Sequence, residues 1–150
     1  MSRVLQLGLF LALVVGGGST IGVLTGPGDW YAALAKPAFN PPDWVFAPVW
    51  TLLYVMIAVV GWRLWRGDRR SRAMHLWWLQ LALNFLWSPV FFSLHWLEAA
   101  MGVILLLLAG ILGCIATAWR RDRVAAWLMV PYAAWVAFAS VLNAALAVLN

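Results

Sequence analysis

The chain has 150 residues, of which 65% are apolar and only 10% are charged, and its net charge is +5. Soluble domains carry roughly 25% charged residues, so this composition excludes an ordinary water-soluble fold. It indicates a single all-α membrane domain over residues 1–150, with no room for a separate catalytic module. The arginines lie in short runs between apolar stretches, where they determine membrane topology rather than nucleic-acid binding.

Five apolar runs, separated by short polar stretches, predict an integral membrane bundle of five transmembrane helices. A helix needs roughly 20 apolar residues to cross the hydrocarbon layer. The runs are continuous rather than alternating, which favours helices over a closed barrel. The predicted spans are residues 4–25, 44–65, 73–94, 99–119 and 124–149.

The first run follows Arg3 and could be a secretory signal, but its apolar stretch is longer than a usual signal core, which favours a transmembrane helix. Gly18, Gly22 and Gly26 lie four residues apart and share one face of this helix. Such a face permits close packing against a neighbouring helix of the bundle or, alternatively, against a second subunit. Cys114, the only cysteine, lies in an apolar run and is expected to be a small buried hydrophobe.

Basic residues are strongly biased to one side of the membrane. With five spans, nine arginines lie on the side of the amino terminus, and Lys36 is the only basic residue on the other side. This bias predicts an amino terminus inside, a carboxyl terminus outside, and residence in the cytoplasmic membrane. The nine are Arg3, Arg63, Arg66, Arg69, Arg70, Arg72, Arg120, Arg121 and Arg123.

Tryptophan is unusually frequent, with twelve residues in the chain. Seven lie near the ends of the predicted spans, where indole favours the headgroup boundary. These seven are Trp30, Trp44, Trp62, Trp65, Trp96, Trp119 and Trp127. The other five lie further within the spans, where Trp77 and Trp78 face either lipid or neighbouring helices. The remaining three, Trp50, Trp87 and Trp135, occur beside polar residues.

Polar or aromatic side chains recur along one face of each of three predicted helices. Gln80, Asn84 and Ser88 form a stripe along the third helix, with a spacing of four residues. Aromatic and small residues form the faces of the second and fifth helices: Trp50 and Tyr54, and Tyr132, Trp135, Ala139 and Leu142. Polar groups in hydrocarbon usually face the bundle interior, so these faces predict either interhelical hydrogen bonds or a pocket in the outer half of the bundle.

The connection from Gly26 to Asp43 is the only long one in the chain. It contains four prolines, which restrict the backbone and suppress helix formation. Its aromatic residues could dock on the bundle directly above the predicted pocket. The connection is therefore expected to be either a lid or a plain interfacial connector.

Three motifs resemble those of the tryptophan-rich sensory protein/translocator protein family, also called the peripheral benzodiazepine receptor family. The first-loop motif includes Trp30-Tyr31, Lys36-Pro37, Asn40-Pro41-Pro42 and the segment Trp50-Thr51-Leu52-Leu53-Tyr54. The third-helix motif is Asn84-Phe85-Leu86-Trp87-Ser88-Pro89-Val90-Phe91-Phe92. The fifth-helix motif is Pro131-Tyr132 with Trp135, Ala139 and Leu142-Asn143. The similarity covers nearly the whole chain in the same order and spacing.

The resemblance implies a five-helix bundle, commonly a homodimer, that binds porphyrins such as protoporphyrin IX and haem under the first loop. The implied ligand-binding residues are Tyr31, Pro41, Trp50, Tyr54, Asn84, Trp87, Ser88, Trp135, Ala139 and Leu142. In similar bacterial members, Trp50 and Trp135 would be the catalytic pair for light-dependent porphyrin breakdown. Family members also occur in outer membranes.

Two features depart from the family pattern. Animal members carry a cholesterol motif in which a tyrosine precedes a basic residue, whereas no Lys or Arg follows Tyr132 here, so the sequence does not support sterol binding. In addition, Trp77 and Trp78 occupy the third helix where a small-residue dimer seam would be expected, which leaves the dimer geometry open.

Three functions fit these residues. The first is a membrane receptor or sensor that binds porphyrins and similar hydrophobic ligands, and so regulates tetrapyrrole levels or transport. The second is a light- and oxygen-dependent porphyrin-degrading enzyme, although the sequence contains no conventional catalytic constellation. The third is a passive translocator of porphyrins or lipids.

No metal site and no obligatory cofactor is expected. His75 and His95 lie twenty residues apart on one predicted helix, about 30 Å end to end, so they cannot hold the same haem iron. A porphyrin or haem would therefore be a ligand rather than a resident prosthetic group. Membrane lipids are the other expected partners.

Overall fold

The computed structural model describes all 150 residues and contains six helices and no strands. The six helices are α1 Arg3–Thr25, α2 Asp29–Ala33, α3 Asp43–Asp68, α4 Arg72–Ser88 with a π-helical continuation over Pro89–Ser93, α5 Leu97–Ala118 and α6 Arg123–Leu149. Four of them, α1, α3, α5 and α6, are long and apolar enough to cross a membrane.

The fold therefore confirms an all-helical membrane protein but differs from the sequence prediction in two details. The predicted third span corresponds to α4, whose polar residues leave it outside the group of helices apolar enough to cross. The first loop, which its prolines predicted to be non-helical, contains the short helix α2. This helix forms because the prolines flank it on both sides, and its five residues contain none.

Side-chain caps explain where three of the long helices begin. The hydroxyl of Ser2 accepts a hydrogen bond from the Leu5 amide at the start of α1, and Ser71 accepts one from Met74 at the start of α4. The carboxylate of Asp122 accepts one from Ala125 at the start of α6. Each cap satisfies a backbone N–H group that has no partner within its helix.

The long helices form a closed ring in the order α1, α3, α6, α5, α4 and back to α1. Helices α4, α5 and α6 pack along their lengths, and α3 lies between α1 and α6. The part of α1 beyond its π-helical turn at Ala12–Gly16, which comprises Gly17–Thr25, packs on α4. The ring leaves the two ends of the bundle chemically different: one holds the arginine-rich turns and the other the first loop.

Trp77 lies at the centre of this packing. Its side chain is fully buried, and its indole N–H donates a hydrogen bond to the Ile57 carbonyl at 3.0 Å. The ring lies directly against Gly61, where even a methyl group would overlap it. The neighbouring Trp78 is 40% exposed on the outside of the bundle. Of the two tryptophans left unassigned by the sequence, one thus joins α4 to α3 and the other faces outward.

Cys114 is buried, as predicted.

An ion pair fixes the arginine-rich end of the bundle. Arg63 on α3 donates two hydrogen bonds, of 2.8 and 3.0 Å, to the carboxylate of Asp122 before α6. Burial opposes ionisation of Asp122, but the Arg63 guanidinium and the capped amides outweigh it and lower the pKa of this carboxyl below its usual value. Such bidentate, charge-assisted geometry is the strongest form of surface ion pair.

We predict that Asp122→Asn lowers the melting temperature at pH 7 and that this difference disappears in acid. A carboxyl whose pKa is depressed by folding contributes stability above its unfolded pKa of about 3.9, and that contribution is lost as the pH falls through the folded pKa. Asparagine keeps the helix cap, so the change isolates the ion pair. Thermal unfolding in detergent from pH 7 to pH 2.5 measures the effect.

The matched control is Asp68→Asn. Asp68 pairs with Arg121 at 3.2 Å, but both side chains are about half exposed, so this pair should contribute little. A difference for Asp122→Asn that persists unchanged at the lowest pH would show that the ion pair is not its cause.

Candidate ligand cavity

A cavity of about 480 Å³ lies between the helices at the end of the bundle that carries the first loop. All six helices contribute to its wall. Nine of the ten residues predicted to bind a ligand line it: Tyr31, Trp50, Tyr54, Asn84, Trp87, Ser88, Trp135, Ala139 and Leu142. The structure therefore brings together side chains that lie more than 100 residues apart in the sequence.

Pro41 is the predicted residue that does not line the cavity. The segment that follows α2 is drawn toward the end of α6 instead. The ring of Phe39 packs edge-on against Phe138 at 6.3 Å, and the side chain of Asn150 exchanges two hydrogen bonds of 3.0 Å with the backbone of Ala35. These contacts place Pro41 beside the cavity rather than over it.

Helix α1 supplies a wall that the sequence did not predict. Gly18, Gly22 and Gly26 line the cavity on the face that was interpreted as a helix-packing seam. Gly18 does pack closely, since a Cβ there would overlap the ring of Tyr54, whereas a Cβ at Gly22 would meet no atom within 4 Å. A Cβ at Gly26 would overlap the Gly22 carbonyl oxygen, so only Gly22 borders open space. The spacing of four residues predicted a common face for these glycines, but it could not distinguish a packing seam from a cavity wall.

The walls are largely aromatic. Trp50 packs on Tyr54 with ring centroids 5.5 Å apart, and Trp135 meets the edge of Phe46 at 5.9 Å. Trp87 lies 4.9 Å from the ring of Phe91. Flat faces at these separations suit a flat, apolar molecule, because stacked and edge-on ring contacts add to the burial of apolar area.

Two interhelical hydrogen-bond systems surround the cavity. In the first, the amide of Asn84 donates to the hydroxyl of Tyr132 at 2.6 Å, and that hydroxyl donates to Gln80 Oε1 at 2.8 Å. The Tyr54 hydroxyl lies 3.5 Å from Asn84 Oδ1, on the cavity side. In addition, the hydroxyls of Ser88 and Thr25 are 2.7 Å apart and join α4 to α1.

The second system holds Trp87 in the wall. Its indole N–H donates to Asn143 Oδ1 at 3.1 Å, and Asn143 Nδ2 donates to the Leu97 carbonyl at 3.0 Å. Asn143 is buried, so one side chain joins α4, α5 and α6. The sequence placed Asn143 beside the fifth-helix face without giving it this role.

Trp135 differs from the other polar groups of the cavity. Its indole nitrogen is buried and has no hydrogen-bond partner. A buried donor without a partner costs free energy. The nitrogen itself has no accessible surface, so Trp135 faces the cavity through its ring rather than through its N–H.

Helix α2 lies at the first-loop end of the cavity and contributes Tyr31 to its wall. Tyr31 is buried against Phe91 and Phe92, and Trp30 stacks on His95 with ring centroids 4.1 Å apart. Lys36 donates hydrogen bonds to the last carbonyls of α2, including that of Tyr31 at 2.8 Å. Burial and the nearby Asp43 carboxylate raise the pKa of Tyr31, partly offset by Asn40, so this phenol is neutral at physiological pH.

The structure contains no group of three or more His, Cys, Asp or Glu residues placed to hold a metal ion. His75 lies at the arginine-rich end, within 2.9 Å of the Ser71 carbonyl, and His95 lies at the opposite end beside Trp30. The polar side chains that line the cavity are amides, hydroxyls and indoles together with one carboxylate, that of Asp43.

An integral membrane protein with an aromatic-walled cavity between its helices is the class that these features indicate. The chain belongs to the TspO/MBR family, whose model matches residues 10–149. It is 33% identical over 147 residues to Protein CrtK of Rhodobacter capsulatus, covering 95% of this chain and 91% of that protein. It is 40% identical over 123 residues to the tryptophan-rich protein TspO of Archaeoglobus fulgidus, covering 81% and 80% of the two chains. It is 39% identical over 120 residues to the human translocator protein, covering 76% and 70%.

We predict that Asn143→Leu lowers the free energy of unfolding by about 1–3 kcal/mol, because it leaves the Trp87 N–H and the Leu97 carbonyl without partners. Thermal unfolding in detergent measures the loss. The control is Thr117→Val, since the Thr117 hydroxyl bonds only to carbonyls of its own helix, Gly113 at 2.8 Å and Cys114 at 3.2 Å. Equal losses in the two variants would contradict a special role for the three-helix junction.

Proposed function

We propose that the protein is a membrane receptor or sensor that binds porphyrins, such as protoporphyrin IX or haem, in the cavity beneath α2. The observation that carries this proposal is the cavity of about 480 Å³ between the helices, whose walls are largely aromatic and apolar. A flat, apolar macrocycle with polar edge groups matches that surface. Relatives named tryptophan-rich sensory protein and translocator protein support a role in sensing or translocation, and the proposed ligands of that role are tetrapyrroles.

The membrane arrangement is part of the same proposal. We infer that α4 crosses the membrane as a fifth span, because Gln80 and Asn84 are buried inside the bundle and are not exposed to lipid. The arginine-rich end then lies in the cytoplasm and the cavity end outside. Helix α2 would act as the lid, since it covers the chamber through Tyr31.

A homodimer stays a prediction from the family resemblance. The cavity does not require a second subunit to be complete, because residues from all six helices of one chain form its wall. Ligand binding can therefore be tested in whichever oligomeric state the purified protein adopts.

A titration tests the proposed function. Protoporphyrin IX added to the purified protein should quench tryptophan fluorescence with saturation. Trp135→Phe, which reduces an aromatic wall, and Asn84→Ala, which removes a cavity amide, should each weaken binding about three- to tenfold, the effect of one reduced ring contact or one lost hydrogen bond. Trp78→Phe is the matched control, since Trp78 lies on the outside of the bundle. Equal affinities in all four proteins would refute the cavity as the porphyrin site.

A second candidate function is light-dependent porphyrin breakdown, which the presence of Trp50 and Trp135 in one cavity favours. With no activated nucleophile in the chamber, the chemistry would come from the excited porphyrin and oxygen, with the two indoles as redox partners. Under illumination, the absorbance of bound protoporphyrin IX should fall in the wild type and persist in Trp50→Phe or Trp135→Phe. Bleaching at the same rate in both variants and in Trp78→Phe would leave binding alone.

A further inference from the structure

Four side chains from three helices form a single hydrogen-bond chain that runs from the cavity into the bundle. Tyr54 lines the cavity, Asn84 and Tyr132 follow, and Gln80 ends the chain. Gln80 and Tyr132 have no exposed surface, and Gln80 does not line the cavity. The chain therefore connects a cavity residue to an amide that no ligand in the cavity touches.

Every member of this hydrogen-bond chain can both donate and accept. In one direction, Tyr54 donates to Asn84 Oδ1, Asn84 donates to the hydroxyl of Tyr132, and Tyr132 donates to Gln80 Oε1. A half-turn of the two amides reverses all three bonds without moving the helices, because amide oxygen and nitrogen have nearly the same size. Gln80 then donates to Tyr132, Tyr132 to Asn84 Oδ1, and Asn84 to the Tyr54 oxygen.

The two directions have the same number of internal hydrogen bonds. In the first direction Gln80 Nε2 is buried without a partner, as the structure shows. In the second direction Gln80 Oε1 takes its place as the unpartnered atom. Each direction therefore leaves one buried polar atom of the same amide unsatisfied, and the cost is comparable in both.

The directions differ at the cavity end. In the first, the Tyr54 O–H is directed at Asn84, so the phenol oxygen presents lone pairs to a ligand. In the second, that oxygen accepts from Asn84, and its O–H is free to donate into the cavity. The bond between Tyr54 and Asn84 is the longest of the three at 3.5 Å, so it is the one that a ligand most easily alters.

We propose that the hydrogen-bond chain Tyr54–Asn84–Tyr132–Gln80 reverses to match the ligand, so that one cavity accepts flat apolar molecules whose polar edge either donates or accepts a hydrogen bond. This inference rests on the proposed function, since it concerns ligands of the same cavity. Gln80 acts in it as a positioning residue that keeps the two directions equivalent.

Replacement of Gln80 by methionine breaks that equivalence. Methionine has a similar length and no amide, and it removes the unpartnered donor, so the bundle should fold. The Tyr132 proton then has only Asn84 Oδ1 to bond, which fixes the second direction. In Gln80→Met the Tyr54 O–H should donate into the cavity while Asn84 occupies one of its two lone pairs, so ligands that accept should be favoured over ligands that donate.

Three tricyclic probes of one shape test this inference: carbazole, which donates through N–H; 9-fluorenone, which accepts through C=O; and fluorene, which does neither. Equilibrium dialysis against protein in lipid nanodiscs, with empty nanodiscs as the blank, gives the dissociation constants. Wild type should bind carbazole and fluorenone with similar affinity, each tighter than fluorene. In Gln80→Met, fluorenone binding should persist, and carbazole should weaken about three- to tenfold, toward fluorene.

Background variants separate this effect from a general loss of structure. In Tyr132→Phe the chain is interrupted, so the added Gln80→Met change should no longer alter the carbazole-to-fluorenone ratio. Tyr54→Phe, which removes the hydroxyl at the cavity end, gives the same test if Tyr132→Phe is unstable. A shift in the ratio that survives both backgrounds overturns the proposal.

Equal weakening of carbazole and fluorenone by Gln80→Met, or no weakening of either, also overturns the inference, as does a wild type that binds only one of them. If none of the three probes binds while protoporphyrin IX does, the reversible chain is refuted and the proposed function stands. If the probes show the predicted shift and protoporphyrin IX does not bind, the cavity mechanism stands and the porphyrin assignment fails.

Discussion

Inside a membrane, a polar group that leaves water has to find its partner within the protein, because hydrocarbon offers none. The geometry of this bundle follows from that requirement. Trp77 reaches across to the Ile57 carbonyl and ties α4 to α3, and the Asn84 amide ties α4 to α6 through Tyr132. Asn143 joins α4, α5 and α6 at once. Apolar packing alone would let such helices slide or rotate, since lipid is as apolar as the core. The directional bonds fix their rotation and, with it, which aromatic rings face the cavity.

The two ends of the ring use different chemistry for different purposes. At the arginine-rich end, short turns and the Arg63–Asp122 pair hold the helices together in water-accessible surroundings. Indole rings lie under several guanidinium groups there, such as Trp62 under Arg66 at 4.9 Å, and so combine an interfacial position with a cation–π contact. At the opposite end, Gly18 lets α1 pack closely on Tyr54 of α3, and Gly22 leaves space at the cavity wall. The ion pair at one end and the small residues at the other allow the bundle to be held together and still contain a cavity.

The cavity combines rigid aromatic walls with a hydroxyl group, that of Tyr54, which can either donate or accept a hydrogen bond. Ring contacts such as Trp50 on Tyr54 define a slot for a flat molecule and contribute mainly apolar burial. Specificity for a polar edge would ordinarily demand one donor or acceptor in a fixed place. Here the Tyr54 phenol lines the cavity, and the direction of its hydrogen bond depends on amides deeper in the bundle. A cavity of this kind favours several related ligands over a single one, which suits a sensor of hydrophobic molecules.

The amino-acid sequence was enough to predict the class of protein, its long helices and nine of the 26 residues that line the cavity. Composition and arginine bias indicated a membrane domain. Polar and aromatic residues at helical spacing predicted that Trp50, Asn84 and Trp135 face the bundle interior, because polar groups are costly in contact with lipid. The sequence does not show which way an apolar or small residue faces, because the protein core and the lipid tails are equally apolar surroundings. Only the tertiary structure could therefore decide that Trp77 faces inward while the glycine face of α1 lines a cavity. It also decided that Pro41 lies to one side, because contacts between residues distant in sequence draw the loop toward α6.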